Sequence, residues 1–238
     1  MRHSRSGERL AMRTQGHYLT AIKAFTAWLT AIRNVLARDP LAAVRKGGFS
    51  HDRKLVRRFL TREEWGWLRQ TRYALLYETA IQTGYRRNEL LSIRPGDLGK
   101  DCIVLDGSRT KNKKPAQQFI TADLAERLRG ELPFHVHDRN RMAQILRLDL
   151  AIARWFWLNS EPKDLPEHFL QHMDARGAVL DFHALRHTCG AWLSLDGAPP
   201  KAIQTIMRHG TITLTFDTYG HLMPNTVQDS VLSSFAAM

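Results

Sequence analysis

Two cysteines occur among 238 residues, and Cys102 and Cys189 stand far apart. That count excludes a disulfide framework and fits a reducing, cytoplasmic setting. No apolar run approaches the ~20 residues needed to cross a bilayer, so no membrane role is expected. The N-terminus is basic but lacks an apolar signal core, so export is not expected. No internal repeat and no low-complexity tract is present. Acidic residues are scarce in one place only. Residues 1–62 hold 14 Lys/Arg against 3 Asp/Glu, a net +11 out of the chain's +12. The remainder is close to neutral. A basic arm on a near-neutral domain suits a polyanion, most simply DNA or RNA.

What is present is enough to fold. Hydrophobic residues make up 43 % of the chain and charged residues 24 %, which permits a core and argues against general disorder. Residues 1–16 are polar and basic. From Tyr18 to Ala37, apolar residues recur at Leu19, Ile22, Phe25, Leu29, Ile32 and Leu36, the steps of an amphipathic helix. Asp39-Pro40 ends that pattern. Lys46 to Arg58 is basic and contains glycine, as linkers do.

Thr61-Arg-Glu-Glu64 is a capping box, and a second domain is expected to start there. The pattern gives helices over 74–83, 87–93, 122–130, 138–157 and 183–195, with Gly84 and Gly197 at C-terminal caps. Pro199-Pro200 opens a further helix. Short helices are expected around Tyr219 and over 225–236. Cys102–Leu105 and Gln117–Ile120 have the character of two short strands joined by a basic loop. Segment 154–180, broken by Pro162 and Pro166, has the look of an insertion. The fold class is mainly α with a small antiparallel β-sheet (α+β). The organisation is a helical segment over 1–50, a linker over 51–60 and a larger domain over 61–238.

Three clusters carry chemistry. His183 and Arg186 are three apart and share a helix face. Arg86 follows Gly84 at a helix start, with Glu89 placed to steady it. Lys111 lies in the loop between the strands, beside Lys113 and Lys114, where a lysine could deliver a proton. Each cluster alone is commonplace on protein surfaces. A His pair at 135/137 and another at 168/172 lack the companions of a metal site. Trp28, Trp65 and Trp67 occupy amphipathic positions that suit a core. Arg208 is expected to point to solvent.

Taken jointly, the blocks TGYRRNELL, HALRHT and IMRHGTITLTFDTYGHL resemble those of the tyrosine recombinases, the family of phage-type integrases. They occur in that family's order, over residues 55–238. The resemblance implies that Arg86 and Arg186 clamp a scissile phosphate, that Lys111 protonates the leaving 5′ oxygen, and that His183 and His209 assist. Tyr219 would form a 3′-phosphotyrosine, with Glu89 in support. It implies double-stranded DNA as partner, a tetramer on DNA, and neither cofactor, metal nor small-molecule substrate. Arg53, Lys54, Arg57, Arg58, Lys113 and Lys114 are candidate DNA contacts. The N-terminal helical segment is short for the core-binding domain of that family. A catalytically silent DNA-binding remnant of a mobile element and a type IB topoisomerase are the alternatives.

Overall fold

The computed structural model describes residues 10–45, 55–136, 138–160 and 167–224. Arg53, Lys54, His137, the first part of the expected linker and the expected helix over 225–236 lie outside them. The chain divides into one unit over residues 1–55 and another over 56–238.

The first unit is built on α1 (Met12–Ala31). This helix starts before and stops short of the span that the apolar pattern predicts. Asn34 adopts φ 50°, a left-handed turn that asparagine tolerates better than most residues. The chain therefore turns ahead of Asp39-Pro40. Lys23 Nζ then donates to the carbonyls of Leu41 and Val44 at 2.7 and 2.6 Å, fastening the return segment to the helix. Trp28, expected in a core, is 43 % exposed.

The second unit is mainly helical, with one two-stranded antiparallel sheet. Helix α2 (Arg62–Leu68) starts on the predicted capping box. Thr61 accepts from the Glu64 amide, and Glu64 accepts from the Thr61 amide. Helix α3 (Ala74–Thr83) ends on Gly84 at φ 59°, and the four-residue α4 (Arg87–Leu90) follows at once. Strands β1 (Cys102–Leu105) and β2 (Ala116–Phe119) pair with Cys102 opposite Phe119. Then come α5 (Ala122–Arg129), α6 (Met142–Leu158), α7 (Phe182–Leu195), α8 (Pro200–Ile206) and α9 (Ile212–Tyr219).

Helix α3 lies against α7 at the centre. Leu76, Tyr77 and Ala80 of α3 meet a core that includes Leu128 of α5, Leu146 and Leu150 of α6, and Leu185 of α7. Each buried leucine contributes about 1.5–3 kcal/mol by leaving water. Tyr77 hydrogen-bonds Asp149 at 2.7 Å inside this core, linking α3 to α6.

Where they are described, residues 154–180 contribute to the core. Trp157 meets Phe169 at a tilt with centroids 4.9 Å apart, and Phe169, Leu170 and Leu180 are core residues. The Leu170 amide donates to Glu64 at 2.8 Å. Prolines in the sequence signalled breaks; the apolar residues around them still had to be buried. No helix among the described residues is long and apolar enough to cross a membrane.

Candidate active site

Arg86 leaves α3 two residues after Gly84. The glycine's left-handed conformation turns the chain sharply, so Tyr85 goes inward and Arg86 outward. Tyr85 is 1 % exposed, and its hydroxyl lies 2.9 Å from the Ile103 carbonyl oxygen and 3.0 Å from that of Ala116. It thereby fixes the hairpin against the start of α4. Arg86 is the N-cap of α4, and its amide donates to Glu89 Oε2 at 2.9 Å.

The hairpin loop is pinned from both sides. Arg109 pairs with Asp97 at 2.5 Å and donates to the Ser92 carbonyl at 2.9 Å. Thr110 Oγ1 bridges the carbonyls of Gly107 and Lys114. The Lys111 amide donates to Glu89 Oε1 at 3.2 Å. A cleft of about 470 Å³ results, lined by Arg86, Arg87, Glu89, Lys111 and His183 among others. Lys113 and Lys114 are exposed but do not line it. Of the three neighbouring lysines, Lys111 is therefore the one placed beside Arg86 and His183. Its side chain makes no ion pair among the described residues.

Helix α7 carries the largest share of the site. Asp181 caps it, accepting from the Ala184 amide at 3.0 Å. Asp181 also receives Arg57 in a bidentate pair at 2.8 Å. His183, Arg186, His187, Gly190 and Ser194 then follow at helical spacing and form one stripe. His183 lies on the first turn and lines the cleft. Its pKa is lowered, first by loss of hydration and then by the cations Arg57 and Arg186.

Arg186 is 5 % exposed and donates to the carbonyls of Gly84 and Met207. Among the described residues, no carboxylate bonds to it. Burial, reinforced by repulsion from Arg86 and Arg208, lowers its pKa to about 10. A guanidinium held by two carbonyls and repelled by two cations is short of an anion.

Tyr219 lies at the end of α9, which starts on Thr211. Its ring is 2 % exposed and packs directly on Gly190. Its carbonyl accepts from Ser194 Oγ at 3.0 Å. His187 stacks on the ring at 5.1 Å and places Nδ1 3.3 Å from the phenol oxygen. His209 stacks parallel at 6.2 Å and bonds Thr215 Oγ1 at 3.0 Å. Burial raises the Tyr219 pKa against a lesser opposing pull from Arg186. Burial also drops His187 and His209 to about 4, so both rings are neutral near pH 7. The phenol does not line the cleft that holds Arg86 and Lys111.

His187 joins the site beyond the residues expected from the motifs. Its signal was present: it falls four residues after His183, on the face that Tyr219 must share. Arg208 is corrected outright. It turns inward, and Nη2 bonds Glu89 Oε2 with the side chain only 10 % exposed. A buried carboxylate whose other cationic partner, Arg86 Nη1, stands 3.3 Å away draws in a second cation. Glu89 is 2 % exposed. Burial alone would raise its pKa, but Arg208 and the amides of Arg86 and Lys111 outweigh burial and lower it. Among the candidate DNA contacts, Arg57 is paired with Asp181, and Arg58 with Glu64 at 2.7 Å. Among the described residues, no group of three or more His, Cys, Asp or Glu is arranged to hold a metal ion.

Residues 67–226 match the sequence profile of the phage integrase family. The chain is similar to the tyrosine recombinase XerA of Saccharolobus solfataricus, with 23 % identity over 221 residues, 93 % of this chain and 67 % of that protein. It resembles the catalytic domain of bacteriophage HP1 integrase at a TM-score of 0.51 and 21 % identity, covering 76 % of this chain and 95 % of that one. It also resembles the integrase of transposon Tn1549 in complex with transposon right-end DNA. There the TM-score is 0.56 at 18 % identity, over 95 % of this chain and 80 % of that one. The mainly helical fold with a small antiparallel sheet is shared with these structures.

Proposed function

The chain belongs to the phage integrase family, and from that premise we propose that it cleaves and rejoins DNA strands through a covalent bond to Tyr219. The observation that carries this reading is the convergence on α4, the hairpin loop and α7. Arg86, Lys111 and His183 share one cleft, and Arg186, a buried cation with no carboxylate bonded to it among the described residues, shares α7 with His183.

In this reading a phosphodiester enters the cleft. Arg86 and Arg186 bind its non-bridging oxygens and offset the charge that grows on them as the phosphorus becomes five-coordinate. The Tyr219 oxygen attacks phosphorus and gives up its proton. The bond from phosphorus to the 5′ oxygen breaks, and Lys111 protonates that oxygen. His183, neutral near pH 7 because its pKa is lowered, can accept the phenolic proton. His209 donates a hydrogen bond to the phosphate. The products are a 3′-phosphotyrosine and a free 5′-hydroxyl. Attack by a 5′-hydroxyl reverses the step and reseals a strand, so the bond energy is retained throughout.

The free chain is a resting form in this reading. Tyr219 is stored against Gly190 and His187, and a phenol with a raised pKa is a poor nucleophile. Assembly on DNA, as a tetramer, would draw it toward the cleft. Double-stranded DNA is the proposed partner, with Lys113 and Lys114 beside the cleft as backbone contacts. Two solved structures of similar fold are themselves DNA complexes, the Tn1549 integrase and the XerH recombinase bound to a difH substrate.

Covalent trapping tests the proposal. Nicked duplexes bearing a candidate site would be incubated with wild type and Tyr219→Phe, then separated under denaturing conditions. A protease-sensitive band from wild type alone is the expected result. An equal band from Tyr219→Phe would remove Tyr219 as the nucleophile. No band from either, with binding demonstrated, would favour the silent DNA-binding remnant. Relaxation of supercoiled plasmid regardless of site would favour a topoisomerase.

A further inference from the structure

Three helices close near this site on a residue with positive φ. Gly84 follows α3 at 59° and Gly197 follows α7 at 75°, but at the end of α8 the residue is Arg208, at 47°. There the His209 amide donates to the Gln204 carbonyl and the Arg208 amide to that of Thr205, both at 3.0 Å. This is the closure that glycine ordinarily completes, because a Cβ is strained in that conformation. An arginine at such a station directs attention to its side chain.

That side chain is nine-tenths buried. Nη2 bonds Glu89 Oε2, and Cζ lies 5.2 Å from the centre of the Tyr85 ring. Among the described residues, Nε and Nη1 have no hydrogen-bond acceptor. Glu89 meanwhile serves several donors. Oε1 accepts from Arg86 Nη1 at 3.3 Å and from the Lys111 amide at 3.2 Å, and Oε2 accepts from the Arg86 amide at 2.9 Å.

Charge decides what this does. With Glu89 facing Arg86 alone, the pair would be neutral and Arg86 a weak anion ligand. With Arg208 on the other oxygen, two cations share one carboxylate and a net positive charge remains. Arg86 is the member that lines the cleft, and Arg208 does not. We propose that Arg208 is a positioning residue that neutralises Glu89 from behind, so that Arg86 meets an incoming phosphate with its charge undiminished. The proposal rests on reading this cleft as the phosphodiester site. Arg208 also joins the segment bearing His209 to the segment bearing Arg86, across 119 residues of sequence.

The test titrates inorganic phosphate, followed by ³¹P NMR at constant ionic strength, into wild type, Arg86→Ala, Arg208→Gly, Arg208→Gln, Arg208→Lys and Arg208→Gly with Glu89→Gln. Melting midpoints confirm folding. Glycine relieves the backbone, and glutamine serves if the glycine variant melts early. Removing Arg208 is expected to weaken phosphate binding about tenfold, the scale of one charge-assisted hydrogen bond. Lysine should recover most of it. Adding Glu89→Gln should restore affinity, because no carboxylate then needs balancing. The deficit should also shrink as pH falls, since Glu89 without Arg208 is buried and takes up a proton more readily. Unchanged binding in Arg208→Gly while Arg86→Ala loses it would overturn the proposal and leave the cleft reading intact. So would failure of Glu89→Gln to restore binding. No phosphate binding by wild type would overturn both.

Discussion

Gly190 and Tyr219 approach more closely than any other residue at 190 would permit. A Cβ placed there would stand 2.2 Å from Tyr219 Cζ and 2.6 Å from its phenol oxygen. The absence of a side chain at one position on α7 is thus what lets the ring pack directly on the helix. The contact also orders the neighbours, since His187 and His209 stack on the same ring.

Gly190→Ala should therefore expel the ring. Overpacking of this kind costs about 1–3 kcal/mol, and urea unfolding would measure it. Expulsion also exposes the phenol, so nitration of Tyr219 with tetranitromethane, mapped by peptide mass, should quicken several-fold over wild type. Unchanged nitration at 219 would mean the ring had found room without leaving, and the resting-form reading would lose its basis.

Lys111 is assigned to the leaving group, and that role has a chemical signature. Lys111→Ala should slow covalent capture about 10²–10⁴-fold on ordinary DNA, the usual worth of a positioned acid. A duplex with sulfur at the 5′ bridging position should erase most of the difference, because a thiolate departs without a proton. Equal slowing on both substrates would place Lys111 in binding instead of proton transfer.

The Asp97–Arg109 pair makes a different prediction. It holds the loop that carries Lys111, with side chains 12 % and 21 % exposed. Among the described residues, Asp97→Ala leaves Arg109 with only the Ser92 carbonyl as acceptor. Capture should fall about tenfold, the loss expected from a misplaced group, while affinity for intact duplex changes little. A fall in affinity as large as the fall in capture would show that the loop serves binding first.

Much of this arrangement is legible in the sequence. Thr61, Gly84, Pro200 and Gly197 each mark a helix end through backbone chemistry that acts locally, and each does so in the structure. The spacing of His183 and Arg186 placed them on one face for the same reason. Features that depend on distant partners were not legible. Arg208 turns inward because Glu89, 119 residues away, needs a cation. Segment 167–180 joins the core because Glu64 and Trp157 are waiting for it. The stop of α1 at Ala31 turns on a left-handed Asn34 that apolar periodicity does not register.

The neutral histidines give the stability of the protein a particular pH dependence. His187 and His209 hold pKa values of about 4 in the folded chain, against 6.5 for an unperturbed imidazole. Between those values the unfolded chain binds protons that the folded chain refuses. Their contribution is therefore complete above about pH 6.5, declines as pH falls, and is gone below about pH 4. Each imidazole can steepen the decline by at most about 1.4 kcal/mol per pH unit. His183 adds to it in the same direction. The carboxylates of Glu89 and Asp181, held below their ordinary range, act only at lower pH. Urea unfolding at pH 8, 6.5, 5.5 and 4.5 should thus show loss of stability setting in near 6.5, well before carboxylates titrate. His187→Gln should flatten the upper part of that curve. A wild-type stability that stays level down to pH 4.5 would mean that these rings are free to accept protons in place, and that the packing around Tyr219 is looser than the structure has it.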